Sequence, residues 1–239
     1  MFGLHPASLA QAVTASRMIY ERYFRVESRG AQNIPASGPT IVVANHGGVL
    51  PVDGAMLALD LARNTEPARI PRMVADHFVP RLPLVSTLFA RLGVVSGTRA
   101  NVRRLLERGE LVVIFPEGVS GPAKPYAERY KLQHWRVGFA ELAMRHRAVV
   151  VPAAIIGAEE SWPVAARLRG VRLFGSPYLP IPASPIPLPV RYHIGYGAPI
   201  ELAGDPESPA AVTAAANHVF EALDTLIAWG RTARNGAFR

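Results

Sequence analysis

His46 and Asp53 stand seven positions apart in the stretch IVVANHGGVLPVDGAM, residues 41–56. Three β-branched residues, Ile41, Val42 and Val43, lead into Asn45 and His46, so the imidazole falls where a strand ends. The carboxyl ends of strands are where open α/β sheets present their ligands. Gly47 and Gly48 permit a tight turn with positive φ and close approach of a substrate to the backbone. Pro51 suits a first helical turn and so puts Asp53 at the start of a helix. A carboxylate returned to one ring nitrogen fixes the tautomer and leaves the other nitrogen free to take a proton. Such a pair is a general base with no nucleophile of its own. The same residues also read as a turn histidine beside an ordinary helix-N-terminal carboxylate.

A second polar turn follows a second apolar strand. In LVVIFPEGVSG, residues 111–121, Pro116 cannot continue a central ladder and Glu117 and Gly118 come next. If the two strands are neighbours, their turns converge at one sheet edge, where Glu117 can bond substrate hydroxyls and Gly118 gives backbone donors room. Lys124, Arg129, Lys131 and Arg136 follow closely, and Arg99 follows GVVSG. Their charged groups suit phosphate, although most surface cations only solvate a face.

These turns need strands and helices to hold them. Residues 8–25 set Leu9, Val13 and Tyr20 beside Arg17, Arg22 and Arg25, which predicts an amphipathic helix with a basic side. Strands are expected at 40–44, 71–76, 93–96, 111–115, 149–156 and 190–196, with helices over 53–63, 82–91, 101–108, 133–145 and 207–229. Gly109 gives a stop for the helix before it. Strands alternating with helices indicate a single α/β domain with a largely parallel central sheet flanked by helices. Residues 1–30 are expected as an N-terminal amphipathic segment and 31–239 as the domain.

Composition narrows the chemistry. Lys plus Arg is 26 against 18 Asp plus Glu, a formal net charge of +8, which attracts anionic partners. The chain has no cysteine, so disulfides, thiolate metal sites and a cysteine nucleophile are excluded. The first residues lack the pattern of a secretory signal. No apolar run reaches the roughly 20 residues of a spanning helix. Leu173 to Val190 is uncharged but carries six prolines, which forbid one. No Gly-x-Ser-x-Gly elbow, His-Glu-x-x-His, phosphate-binding Gly-Lys loop or dinucleotide glycine motif occurs. Asp76 and His77 are adjacent, so on a strand they point to opposite faces. No aromatic-basic interleaving or helix-turn-helix pattern supports nucleic acid as a partner.

Taken together, the chain resembles the lysophospholipid (glycerol-phosphate) acyltransferase superfamily over about residues 30–200. ANHGGVLPVD (44–53) is similar to its His-and-Asp block and LGVVSGTR (92–99) to its arginine-containing block. FPEGVSG (115–121) is similar to the Phe-Pro-Glu-Gly block and VVPAAIIGAEE (150–160) to the Val-Pro block. The resemblance implies the glycerol-3-phosphate acyltransferase-like fold. It also implies transfer of a fatty acyl group from acyl-CoA or an acyl carrier protein to a lipid hydroxyl, without a cofactor or metal. His46 would deprotonate the acceptor and Asp53 would orient it. Asn45, Gly47, Gly48, Arg99, Pro116, Glu117, Gly118 and Lys124 would bind the acceptor, with Arg99 on its phosphate.

The sequence departs from the family at two points. Six residues separate His46 from Asp53 instead of four, and Val119-Ser120 replaces the usual Thr-Arg. Lysophosphatidate is the expected acceptor, giving phosphatidate. A neutral acylglycerol or other lipid alcohol, or a non-catalytic lipid-binding relative, is the alternative. The protein is expected on the inner, cytoplasmic face of an anionic membrane. The basic N-terminal helix and FGSPYLPIPASPIPLPV (174–190) are candidates for contact with it, the latter reading equally as a buried crossover loop.

Overall fold

Ile41 and Val43 face one way from their strand, Val42 and Ala44 face the other, and all four are fully buried. A strand covered on both faces belongs inside a parallel sheet. The structure, a computed structural model, describes residues 2–48, 51–76, 85–122, 124–173 and 176–234. In chain order the elements are α1 (Pro6–Ala15), β1 (Glu27–Arg29), β2 (Thr40–Ala44), α2 (Val52–Asn64), β3 (Pro71–Ala75), α3 (Val85–Arg91) and β4 (Val95–Ser96). Then come α4 (Arg99–Glu107), β5 (Leu111–Ile114), α5 (Gly138–His146), β6 (Val149–Ile156), α6 (Ala158–Ser161), β7 (Val164–Leu173) and β8 (Ser176–Pro182). The last three are β9 (His193–Tyr196), β10 (Ile200–Glu201) and α7 (Pro209–Ala233).

Among the described residues the main sheet runs β1-β9-β6-β2-β5-β3-β4, with β10 added against β6. The core, β6-β2-β5-β3-β4, is parallel, while β9 and β10 run antiparallel to β6. Helices α4, α5 and α7 cover the Ile41–Val43 side and α2 covers the other. The α/β class and parallel core are therefore as expected. Burial of each large aliphatic side chain in these layers contributes about 1.5–3 kcal/mol.

Several boundaries differ for local reasons. The helix expected from Asn101 starts at Arg99, because the Thr98 hydroxyl caps it by accepting from the Asn101 N–H at 3.2 Å. It ends as expected beside Gly109, at φ +69°. The helix expected from Gln133 starts at Gly138; before it, the Gln133 N–H donates to the Glu117 carboxylate at 2.9 Å and the Arg136 N–H to the Pro116 carbonyl at 3.2 Å. The N-terminal helix breaks after Ala15 and re-forms as one π-turn, Ile19–Tyr23. Ser176–Pro182, expected as loop, is β8, which among the described residues pairs with β7 alone, and a strand paired on one side accommodates proline. The part of the 82–91 helix before Val85, and His77, lie outside the described residues.

Residues 1–30 do not stand apart from the sheet. β1 pairs with β9, and Tyr20 and Phe24 are buried under β9 and α2. One buried carboxylate joins these pieces. Asp60, two turns along α2 from Asp53, accepts from Tyr20 Oη at 2.5 Å, Tyr196 Oη at 2.6 Å, Ser28 Oγ at 2.8 Å and Asn64 Nδ2 at 2.9 Å. Burial and the Asp60 charge push both tyrosine hydroxyls up, so they stay protonated as donors. The network clamps α2, and α2 carries Asp53.

His193 opens β9 with Nδ1 3.2 Å from Glu27 Oε2. Burial pushes its imidazole below the ordinary histidine value; Glu27 pulls it partly back, and Arg234, Arg191 and Arg29 push it down again. The unfolded chain takes up this proton near pH 6.5, the fold only at lower pH. The linked stability is thus present above about pH 6.5 and lost as pH falls below it. Thermal melts between pH 7.5 and 5.5 should show a declining midpoint, and His193→Gln should flatten part of that decline. An unchanged slope in the variant would remove His193 from the acid sensitivity.

Candidate active site

β2 and β5 are adjacent and parallel, so the turns that leave them emerge side by side. The longer His-to-Asp turn closes. Asp53, fully buried in the first turn of α2, places Oδ2 2.7 Å from His46 Nδ1. The same oxygen accepts the Gly47 N–H at 2.8 Å, and Oδ1 accepts the Gly54 N–H at 2.7 Å. Two backbone donors hold the carboxylate as an acceptor, so Nδ1 carries the hydrogen of the His46–Asp53 bond. Nε2 is then the basic nitrogen, and among the described residues nothing bonds it. The ring stacks on Phe115 with centroids 4.4 Å apart, and its side chain stays partly open to solvent.

The other predicted residues divide. Gly48 takes φ +88° and Gly118 φ +54°, conformations that favour glycine. A Cβ on Gly47 would lie 2.2 Å from Glu159 Cγ, so this turn tolerates no side chain. The Pro116 carbonyl accepts the Arg136 N–H at 3.2 Å. Asn45, expected to bind the acceptor, instead faces the neighbouring strand. It is buried, donates to the Ile155 carbonyl at 2.9 Å and accepts the Ile155 N–H at 2.7 Å, extending the β2–β6 ladder.

Glu117 and Lys124 likewise have protein partners. Glu117 is buried; Oε1 accepts the His46 N–H at 3.0 Å and Oε2 accepts the Gln133 N–H at 2.9 Å. The Lys124 ammonium lies 3.1 Å from Glu117 Oε2 and 2.7 Å from Glu159 Oε1, with its side chain 2% exposed. Burial pushes this ammonium down, but the two carboxylates more than offset it and leave it above the usual lysine value. Burial also pushes the Glu159 carboxyl up, and the Lys124 charge only partly reverses that. Removing one partner of a buried pair typically costs about 3–5 kcal/mol. Lys124 is thus held inside the protein rather than offered to a phosphate.

Arg99 is 67% exposed at the start of α4, but its guanidinium is paired with Glu141 on α5. Arg136, 63% exposed, is the cation that lies over the Phe-Pro-Glu-Gly turn. Its guanidinium carbon is 3.3 Å from where a Gly118 Cβ would stand, and Nη2 is 3.4 Å from Asp76 Oδ2. Sequence reasoning missed Glu159 and the stacking role of Phe115. The signal for Glu159 was present: an apolar strand runs through Gly157-Ala158 straight into two acidic residues, both of which are buried.

The geometry offers a basic imidazole nitrogen, fixed in tautomer, at a sheet edge. The Acyltransferase family model matches residues 25–156. A Mycobacterium tuberculosis protein, "Uncharacterized protein Rv0502", is 39% identical over 194 residues, covering 77% of this chain and 54% of the relative. The human "DGAT1/2-independent enzyme synthesizing storage lipids" is 31% identical over 150 residues, covering 62% of this chain and 44% of the relative. This chain thus spans about half the length of the curated relatives it matches. Among solved structures, the 1-acyl-sn-glycerophosphate (LPA) acyltransferase PlsC from Thermotoga maritima superposes with a TM-score of 0.62 at 18% identity, covering 95% of this chain and 81% of that one. That likeness is one of fold.

Proposed function

This chain belongs to the Acyltransferase family, and from that premise we propose that it moves a fatty acyl group from a thioester to the hydroxyl of a glycerolipid. The observation that carries the reading is the 2.7 Å bond between His46 Nδ1 and Asp53 Oδ2, which leaves Nε2 to act as base. Nε2 takes the proton of the acceptor hydroxyl as its oxygen attacks the thioester carbonyl carbon. The tetrahedral intermediate collapses, the carbon–sulfur bond breaks, and the departing thiolate takes the proton back from Nε2. The products are an ester and a free thiol, with no acyl-enzyme on the way. Asp53 stabilises the imidazolium while it exists. The thioester is carried by coenzyme A or an acyl carrier protein.

The acceptor that fits best is a neutral acylglycerol or similar lipid alcohol. Lys124 is held between buried carboxylates, and Val119-Ser120 stands where the family has Thr-Arg. The human relative's name, an enzyme "synthesizing storage lipids", agrees with this choice. One observation favours the phosphate-bearing acceptor lysophosphatidate: the exposed Arg136 guanidinium over Gly118.

Purified protein offered acyl-CoA with monoacylglycerol, diacylglycerol and lysophosphatidate, scored by mass of product, tests the choice. A neutral acceptor should be preferred by about tenfold or more in kcat/KM. A preference for lysophosphatidate that disappears in Arg136→Gln would reverse the assignment. No thiol release with any pair would leave a lipid-binding protein without chemistry.

Peripheral attachment to the cytoplasmic face of an anionic membrane belongs to the same proposal. Among the described residues no helix is long and apolar enough to cross a membrane. Two surface segments support the reading. Met18 and Ile19 are exposed near the π-turn, Ile186 is exposed in the proline-rich stretch, and Tyr23 Oη joins the two by donating to the Pro187 carbonyl at 2.5 Å. Arg25 also donates to the Pro189 carbonyl, at 2.9 Å. Apolar side chains among arginines suit an anionic bilayer surface.

A further inference from the structure

We propose that Lys124 is a positioning residue, setting the backbone of His46 from inside the protein and touching no substrate; the proposal rests on the reading of His46 as the base. Its ammonium donates to the Lys131 carbonyl at 3.3 Å and is ion-paired with two carboxylates, 3.1 Å from Glu117 Oε2 and 2.7 Å from Glu159 Oε1. Each carboxylate then reaches a backbone amide in a different segment. Glu117 takes the N–H of His46 itself at 3.0 Å, and Glu159 takes the N–H of Tyr130.

The three residues come from separate places on one sheet edge. His46 follows β2, Glu117 follows β5 and Glu159 follows β6, with β2 the middle strand of the three. The segment 124–133 closes over them, through the Tyr130 and Gln133 amides and through Tyr130 Oη, which accepts the Gly157 N–H at 2.8 Å. Gly47 packs directly on Glu159, and Gly121 packs directly on His46, where a Cβ would come within 2.8 Å of its Cβ and carbonyl oxygen. One buried cation therefore ties together the turns that follow three adjacent parallel strands, and the base lies on the middle turn.

Without the ammonium, Glu117 and Glu159 face each other in a buried space with nothing between them. Like charges in that setting move apart or one takes a proton. Either response disturbs Glu117, and the His46 N–H loses its acceptor geometry. The imidazole then shifts relative to Asp53 and to any bound hydroxyl. A misplacement of about 1 Å in a reacting group is worth roughly a hundredfold in rate.

The test is Lys124→Met, which keeps much of the side-chain length and removes the charge. Its kcat should fall about a hundredfold, while KM stays within about twofold for neutral and phosphate-bearing acceptors alike. Lys124→Met/Glu159→Gln restores the net charge of the cluster and should regain about tenfold of the loss. Should the single variant fail to fold, the double variant carries the same measurements against wild type. Amide hydrogen exchange at His46, measured without substrate, should accelerate by about tenfold or more in the single variant.

A folded variant with unchanged kcat, or unchanged exchange at His46, overturns the proposal. So does a KM that rises only for a phosphate-bearing acceptor, which would make Lys124 a substrate contact. Absence of acyl transfer in the wild type is a different failure. It would end the reading of His46 as base, whereas the exchange measurement would still report whether Lys124 holds that turn.

Discussion

His46→Ala should lower acyl transfer by roughly two to four orders of magnitude, the usual worth of a positioned general base. The loss should fall on kcat, because the imidazole acts on the hydroxyl proton in the transition state and adds little to ground-state binding. The fold should survive. The ring is partly open to solvent and leans on Phe115, and Asp53 keeps the Gly47 and Gly54 amides as donors when the imidazole is gone. The backbone amide of His46 also keeps its bond to Glu117, which does not depend on the side chain. A thermal melt close to wild type, together with near-normal thiol release and ester formation, would refute the base. Unfolding of the variant would instead point to a structural histidine.

Asp53→Asn is expected to cost about 10³-fold or more in kcat, as wrong-tautomer variants of carboxylate–histidine pairs do. The geometry gives the reason. Oδ2 accepts from two donors at once, His46 Nδ1–H and the Gly47 N–H, while Oδ1 accepts the Gly54 N–H. An asparagine has one accepting oxygen. If that oxygen stays on Gly54, the amide group points its hydrogens at the Gly47 N–H and at Nδ1. His46 then turns Nδ1 into an acceptor, the hydrogen moves to Nε2, and the base faces the hydroxyl already protonated. If the oxygen stays on Gly47 and His46, the Gly54 N–H meets a donor at the helix start, and α2 shifts.

Nitrogen-15 spectra of the imidazole separate the two outcomes without any substrate. The wild type should show the Nδ1–H tautomer, and the first outcome should show Nε2–H. His46→Ala/Asp53→Asn should be no slower than His46→Ala alone, because residues that act as one unit do not add. A full additional loss in the double variant would mean that Asp53 acts on something other than the histidine.

Much of this is legible in the sequence. The β-branched run Ile41 to Val43 announced a strand, and the charge-free LVVIF run announced one covered on both faces. Gly109 announced a helix end, and Pro116 announced the end of a central strand. Local residue patterns set these features, and neighbours in sequence suffice to read them. The extra length of the His-to-Asp turn was legible as a departure, but its closure was not. Closure depends on the direction of α2, which the Asp60 network with Tyr20, Ser28 and Tyr196 fixes from three other parts of the chain.

The sequence by itself determined the α/β class, the parallel core, the family and the choice of His46 and Asp53 as partners. Periodicity and short motifs carry that information along the chain. Only the tertiary structure decided which polar and charged groups take protein partners. Asn45 turned to Ile155, Arg99 to Glu141 and Lys124 to Glu117 and Glu159. Whether a cation meets solvent or a carboxylate depends on burial and on partners brought in by strand order. An arginine or lysine looks the same in a sequence whether its charge is spent inside the fold or held ready at its rim.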